Sequence, residues 1–122
     1  MPRTHSRRPA LVHPDTGDID LQDVLRALAD PTRLTIVRTL RTDPERACGT
    51  FPVDVAPSTL THHFRVLREA GVIRQREDGT RRWTALRLED LDIRFPGLLD
   101  AILTAYAYAN AADGTTHEQA DD

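Results

Sequence analysis

The sequence predicts a mainly α chain carrying one small β-hairpin, an α+β arrangement, and three observations carry that reading. Apolar residues recur at helical spacing in four separate segments. An Asp-Pro start signal appears at Asp30-Pro31 and again at Asp43-Pro44. Between two runs containing β-favouring residues sits Asp78-Gly79, the composition of a hairpin turn.

Each element follows in order. Residues 1–18 hold three prolines and no sustained periodicity, so they are expected to form a flexible basic arm. Asp20 is placed to cap a first helix, in which Leu21, Val24, Leu25 and Leu28 follow the i, i+3, i+4, i+7 pattern of one buried face. Asp30 and Pro31 open a second helix to about Leu40, with Leu34, Ile36, Val37 and Leu40 on its apolar side. After Asp43-Pro44 only a brief helix fits before Gly49 and Pro52, and residues 52–57 read as loop. From Ser58 the helical period returns: Leu60, His63, Phe64 and Leu67 share one side, and Gly71 supplies the stop. VIRQRE and RRWTALR then flank the hairpin turn. LEDLDI reads as a helical turn, and a last helix is expected from about Pro96 to Ala111 with Leu99, Ile102, Leu103 and Tyr106 as its stripe. The folded domain therefore spans 19–112, and 113–122 is expected to be a disordered acidic tail.

Composition narrows the function classes. The chain has 122 residues, 39% hydrophobic and 29% charged, which suits one soluble domain with a modest core. No apolar run is long enough to span a membrane, and no apolar signal core follows the basic start, so a cytoplasmic location is expected. One cysteine, Cys48, excludes an internal disulfide. All basic residues are arginine, and although the formal charge is −3, residues 62–82 gather Arg65, Arg68, Arg74, Arg76, Arg81 and Arg82 with His62 and His63. Acidic residues at the C-terminal end hide this local excess.

The order helix, helix, short helix, helix, hairpin, helix describes a winged helix-turn-helix. Helix 58–69 would then present Ser58, Thr59, Thr61, His62, Arg65 and Arg68 to the major groove of double-stranded DNA. The wing, residues 72–87, would bring Thr80, Arg81 and Arg82 to phosphates, which fix register rather than read sequence. His62 and His63 point about 100° apart on a helix and do not chelate one ion readily. His63 falls on the core side; His62 points outward, and contact with DNA there would strengthen binding as pH falls.

LADPTRLTIVRTL and STLTHHFRVLREAGVIRQREDGTRRWTAL carry a resemblance. They resemble the ArsR/SmtB type of bacterial winged-helix repressor over roughly residues 20–110. The resemblance implies a homodimer joined by the first and last helices, here Leu21, Val24, Leu25, Leu99, Ile102, Leu103 and Tyr106. It also implies an inverted-repeat operator and repression of transcription. The chain departs from the family pattern in four places. The family's thiolate sensors carry Cys-x-Cys before the recognition helix, where this chain has Cys48 alone, and one thiolate does not build a soft-metal site. Other members carry Asp-x-His and His-x-x-Glu in the last helix, where this chain reads AILTAYAYANAADG. Pro57 stands where relatives are commonly polar, and the helix before the turn is short. No metal, cofactor or catalytic residue is expected. The alternatives are a metal- or redox-responsive repressor using Cys48 with His5, His13 or His117, a Cys48 enzyme, which lacks an orienting third group, and a winged-helix module binding protein instead of DNA.

Overall fold

Two aspartates start the first two helices as the sequence requires. Asp20 accepts from the Asp23 N–H at 3.2 Å and opens α1, Leu21–Leu28. Asp30 accepts from the Arg33 N–H at 3.0 Å, and Pro31, with no N–H to lose, begins α2, Pro31–Thr42. The structure, a computed structural model, describes the backbone of residues 11–121 and the side chains of 11–111.

After α2 the expected brief helix is replaced by strand β1, Glu45–Ala47, and a 3-10 turn, Cys48–Thr50. The reason is non-local: β1 pairs antiparallel with Arg81–Leu86 far along the chain, Glu45 opposite Ala85 and Ala47 opposite Trp83. Helix α3, Pro57–Ala70, starts one residue before the expected Ser58, with Pro57 in its first turn. It ends at Gly71, whose φ of +88° is open to glycine at little cost. A Cβ there would also lie 2.6 Å from Ile19 Cγ1, so Gly71 serves both turn and packing.

β2, Ile73–Asp78, and β3, Arg81–Leu86, form the wing, and the sheet order is β1-β3-β2. Asp78 and Arg81 are the last paired residues, leaving Gly79 and Thr80 as the loop, with Gly79 at φ +65°. α4, Leu88–Arg94, and α5, Leu98–Asp121, complete the fold. α5 extends past the expected end at Ala111; the alanines at 101, 105, 107, 109, 111 and 112 favour its first part.

The core is shared by α1, α2, α3, β2 and α5: Ile19, Val24, Ile36, Leu40, Leu67, Val72, Ile73 and Leu103 are each almost wholly buried. Residues 11–18 are not a free arm either. His13 Nε2 accepts the outward N–H of Gln75 on edge strand β2 at 2.9 Å, and the Pro14 carbonyl accepts from Arg87 Nη1 at 2.8 Å. Thr16 donates to Asp90 at 2.9 Å. The buried Arg87 guanidinium beside Asp90 holds that carboxyl below the usual range, so the segment ends on a firm ionic anchor. The remainder of the expected arm, with Arg3, Arg7 and Arg8, lies outside the described residues.

Candidate nucleic-acid interface

The 3.6-residue period divides α3 into two faces. Phe64, Leu67 and His63 are buried, while Ser58, Thr59, Thr61, His62 and Arg65 are exposed. Phe51, below the loop, meets Phe64 edge-on with ring centroids 5.3 Å apart and fixes the inner face. The N-cap is Ala56, with no side-chain cap, so the first turn of α3 leaves its amide groups unclaimed by side chains. Thr61 donates its hydroxyl to the Pro57 carbonyl at 3.0 Å, which leaves its methyl and an oxygen lone pair for an outside partner.

His63 has a structural role. Arg33 bridges three elements: Nε donates to the Ala27 carbonyl at 2.6 Å, and Nη1 lies 3.0 Å from His63 Nδ1. An arginine only donates, so His63 Nδ1 accepts and the ring is neutral. Burial lowers its pKa, with Arg33 and His62 adding to the effect and Asp30, 3.9 Å away, opposing it. The Ala29-Asp30-Pro31-Thr32-Arg33 run thereby locks α1, α2 and α3 together.

The arginines separate by partner. Arg74 pairs with Asp90 at 3.3 Å, Arg76 makes a two-pronged contact with Glu45 at 3.0 and 3.1 Å, and Arg82 meets Glu77 at 2.7 Å. Arg68 is half-buried and turns inward, donating to Gln75 Oε1 at 2.6 Å. Its place on the DNA face is an expectation from the sequence; in this structure its guanidinium reaches toward the sheet. Arg65 and Arg81 are exposed and meet no carboxylate among the described residues. Arg81 instead lies 6.0 Å from the Trp83 ring centroid, and Arg76 lies 5.7 Å from it. Thr61 of α3 and Thr80 and Arg81 of the wing tip line one cleft, so helix face and wing open on the same side.

Sequence reasoning missed Gln75. It is a buried polar residue whose amide reaches Arg68, Thr84 and Cys48, and whose backbone N–H reaches His13. Its signal was an inward position in the alternation of Ile73, Gln75 and Glu77. Cys48 lies 3.3 Å from Thr84 Oγ1 and from Gln75 Nε2, and burial pushes its thiol up, away from the reactive thiolate. His13, one of its suggested metal partners, is already engaged by Gln75; His5 and the His117 side chain lie outside the described residues. Among the described residues no group of three or more His, Cys, Asp or Glu is placed to hold a metal ion.

The suggested dimer residues divide as well. Val24, Leu99 and Leu103 are 1%, 6% and 1% exposed and belong to the chain's own core, a correction to their expected role at an interface. Leu21 and Leu25 on α1 are 41% and 43% exposed, and Ile102 and Tyr106 on α5 are half-buried.

Residues 28–76 match a protein family described as a helix-turn-helix domain. The chain is 33% identical over 82 residues to the uncharacterized HTH-type transcriptional regulator YceK of Bacillus subtilis (strain 168), covering 65% of this chain and 82% of that protein. The crystal structure of an ArsR family transcriptional regulator superimposes with a TM-score of 0.53 at 25% identity, over 73% of this chain and 93% of the other. The chain belongs to the ArsR-type winged helix-turn-helix regulators. This ArsR-type regulator also resembles M. tuberculosis Rv0081, with a TM-score of 0.52 and 28% identity over 80% of this chain and 91% of that one. It is a DNA-binding transcriptional regulator and not an enzyme. Among its described residues no helix is long and apolar enough to cross a membrane.

Proposed function

We propose that this regulator is a cytoplasmic repressor that binds an inverted-repeat operator as a homodimer. The observation that carries the reading is the exposed side of α3: Ser58, Thr59, Thr61, His62 and Arg65 face outward, and Arg65 meets no carboxylate among the described residues. Short hydroxyl side chains permit close approach to base edges, and a free guanidinium suits guanine O6 and N7. Thr80, Arg81 and the partly neutralised Arg82 supply the wing contacts to phosphate. Two copies would set their α3 helices in successive major grooves about 34–36 Å apart. The exposed pair Leu21 and Leu25, with Ile102 and Tyr106, is the apolar surface available to a second copy.

Fluorescence anisotropy with duplexes from the region upstream of its own gene tests this, run at several salt concentrations beside light scattering of the complex. Two chains per duplex, a preference for one sequence and a steep fall in affinity with salt are expected. Equal affinity for every duplex, or one chain bound per site, would refute the reading.

A further inference from the structure

Between α3 and the wing lies a cleft of approximately 400 Å³, a volume in the range of small-ligand sites. Leu60 and Phe64 form its apolar wall, Cys48 and Gln75 its floor, and Arg81 and Arg82 part of its rim. The floor is fixed: Gln75 is 3% exposed, accepts from Arg68 at 2.6 Å and donates to Thr84 at 3.0 Å. A floor whose polar atoms are all satisfied resists collapse into the space above it. The rim is electropositive. Arg82 shares its charge with Glu77, which also lines the cleft, but Arg81 meets no carboxylate among the described residues.

We propose that this cleft binds a small organic anion with an apolar, planar body, and that its occupancy and DNA binding exclude each other. The wall takes the apolar body and the rim guanidiniums take the charge. Exclusion follows from shared residues: Thr61 and Arg81 line the cleft and belong to the face assigned to DNA, so this part rests on the DNA reading. A duplex backbone reaches the rim, whereas Phe64 and Gln75 lie beneath it and are open to a small molecule alone.

The test uses 8-anilinonaphthalene-1-sulfonate, an anionic aromatic dye, followed by emission and by amide chemical shifts of the full chain. Saturable one-to-one binding is expected, with shifts centred on Gly49, Thr61, Gln75 and Thr80. Gly49 lines the cleft, and a Cβ there meets nothing within 4 Å, so Gly49→Phe fills the space without a backbone clash. That variant is expected to keep its melting temperature and to weaken dye binding about tenfold or more. Arg82→Met, which keeps the length and removes the charge, is expected to weaken it as well. Shifts centred instead on Leu21 and Leu25, or full dye affinity in both variants, would overturn the site. Retention of the dye in a complex with operator DNA would overturn the exclusion. A duplex that fails to bind the dye-free protein would count against the DNA reading alone, since the shift map decides the cleft without DNA.

Discussion

His63 ties acidity to stability at the residue scale. Its Nδ1 accepts from Arg33, and a proton on that nitrogen would face a guanidinium. Burial, with Arg33 adding to it, holds the folded ring below the usual imidazole value of 6.5, and His13, accepting from the Gln75 N–H, is lowered in the same direction by burial and by Arg74. The unfolded chain takes up these protons first. Stability is thus complete above about pH 6.5 and is lost as pH falls through the folded values, before the lowered carboxylates Glu45 and Asp90 titrate. Urea denaturation between pH 7.5 and 5 should show that decline; a flat profile would contradict the neutral His63. Gly71→Ala provides a second check. It combines a left-handed φ with a Cβ contact of 2.6 Å, and a loss of about 2–4 kcal/mol is expected in the same assay.

Among elements, α3 and the wing divide the labour of their arginines by what each already touches. Arg65 has no acidic partner among the described residues, so Arg65→Ala should cost about 1–3 kcal/mol of operator binding and relax the preference at one base position. Arg81→Ala should weaken all duplexes alike and reduce the salt slope by about one. Arg68→Ala should do neither first: it strips Gln75 of its donor, and its primary effect is a lower melting temperature, about 1–3 kcal/mol of stability. Anisotropy titrations on two unrelated duplexes separate the three outcomes, and a base-specific loss in Arg68→Ala would restore that residue to the DNA face. Trp83 belongs to this scale too, because its ring lies near Arg76 and Arg81 and steadies the wing's outer surface.

For the whole molecule, the surface open to a second copy is smaller than the apolar stripes of the sequence suggest. Val24, Leu99 and Leu103 are consumed inside the chain, leaving Leu21 and Leu25 exposed on α1. The double variant Leu21→Glu, Leu25→Glu should leave helix content intact and yield a monomer in light scattering, with operator affinity reduced by about a hundredfold or more, since two half-sites no longer act together. A variant that stays dimeric would move the interface elsewhere.

Local signals determined much of this protein. The caps at Asp20 and Asp30, the stop at Gly71, the turn at Gly79 and the two faces of α3 all arise from contacts within a few residues, and each is written in the order of side chains. Tertiary structure decided what depends on distant partners. β1 exists because β3 offers it an edge, Arg68 turns inward because Gln75 awaits it, and residues 11–18 are held because Gln75, Arg87 and Asp90 bind them. The same holds for the dimer stripe, since periodicity shows that a face is apolar but not whether its own chain or another one covers it.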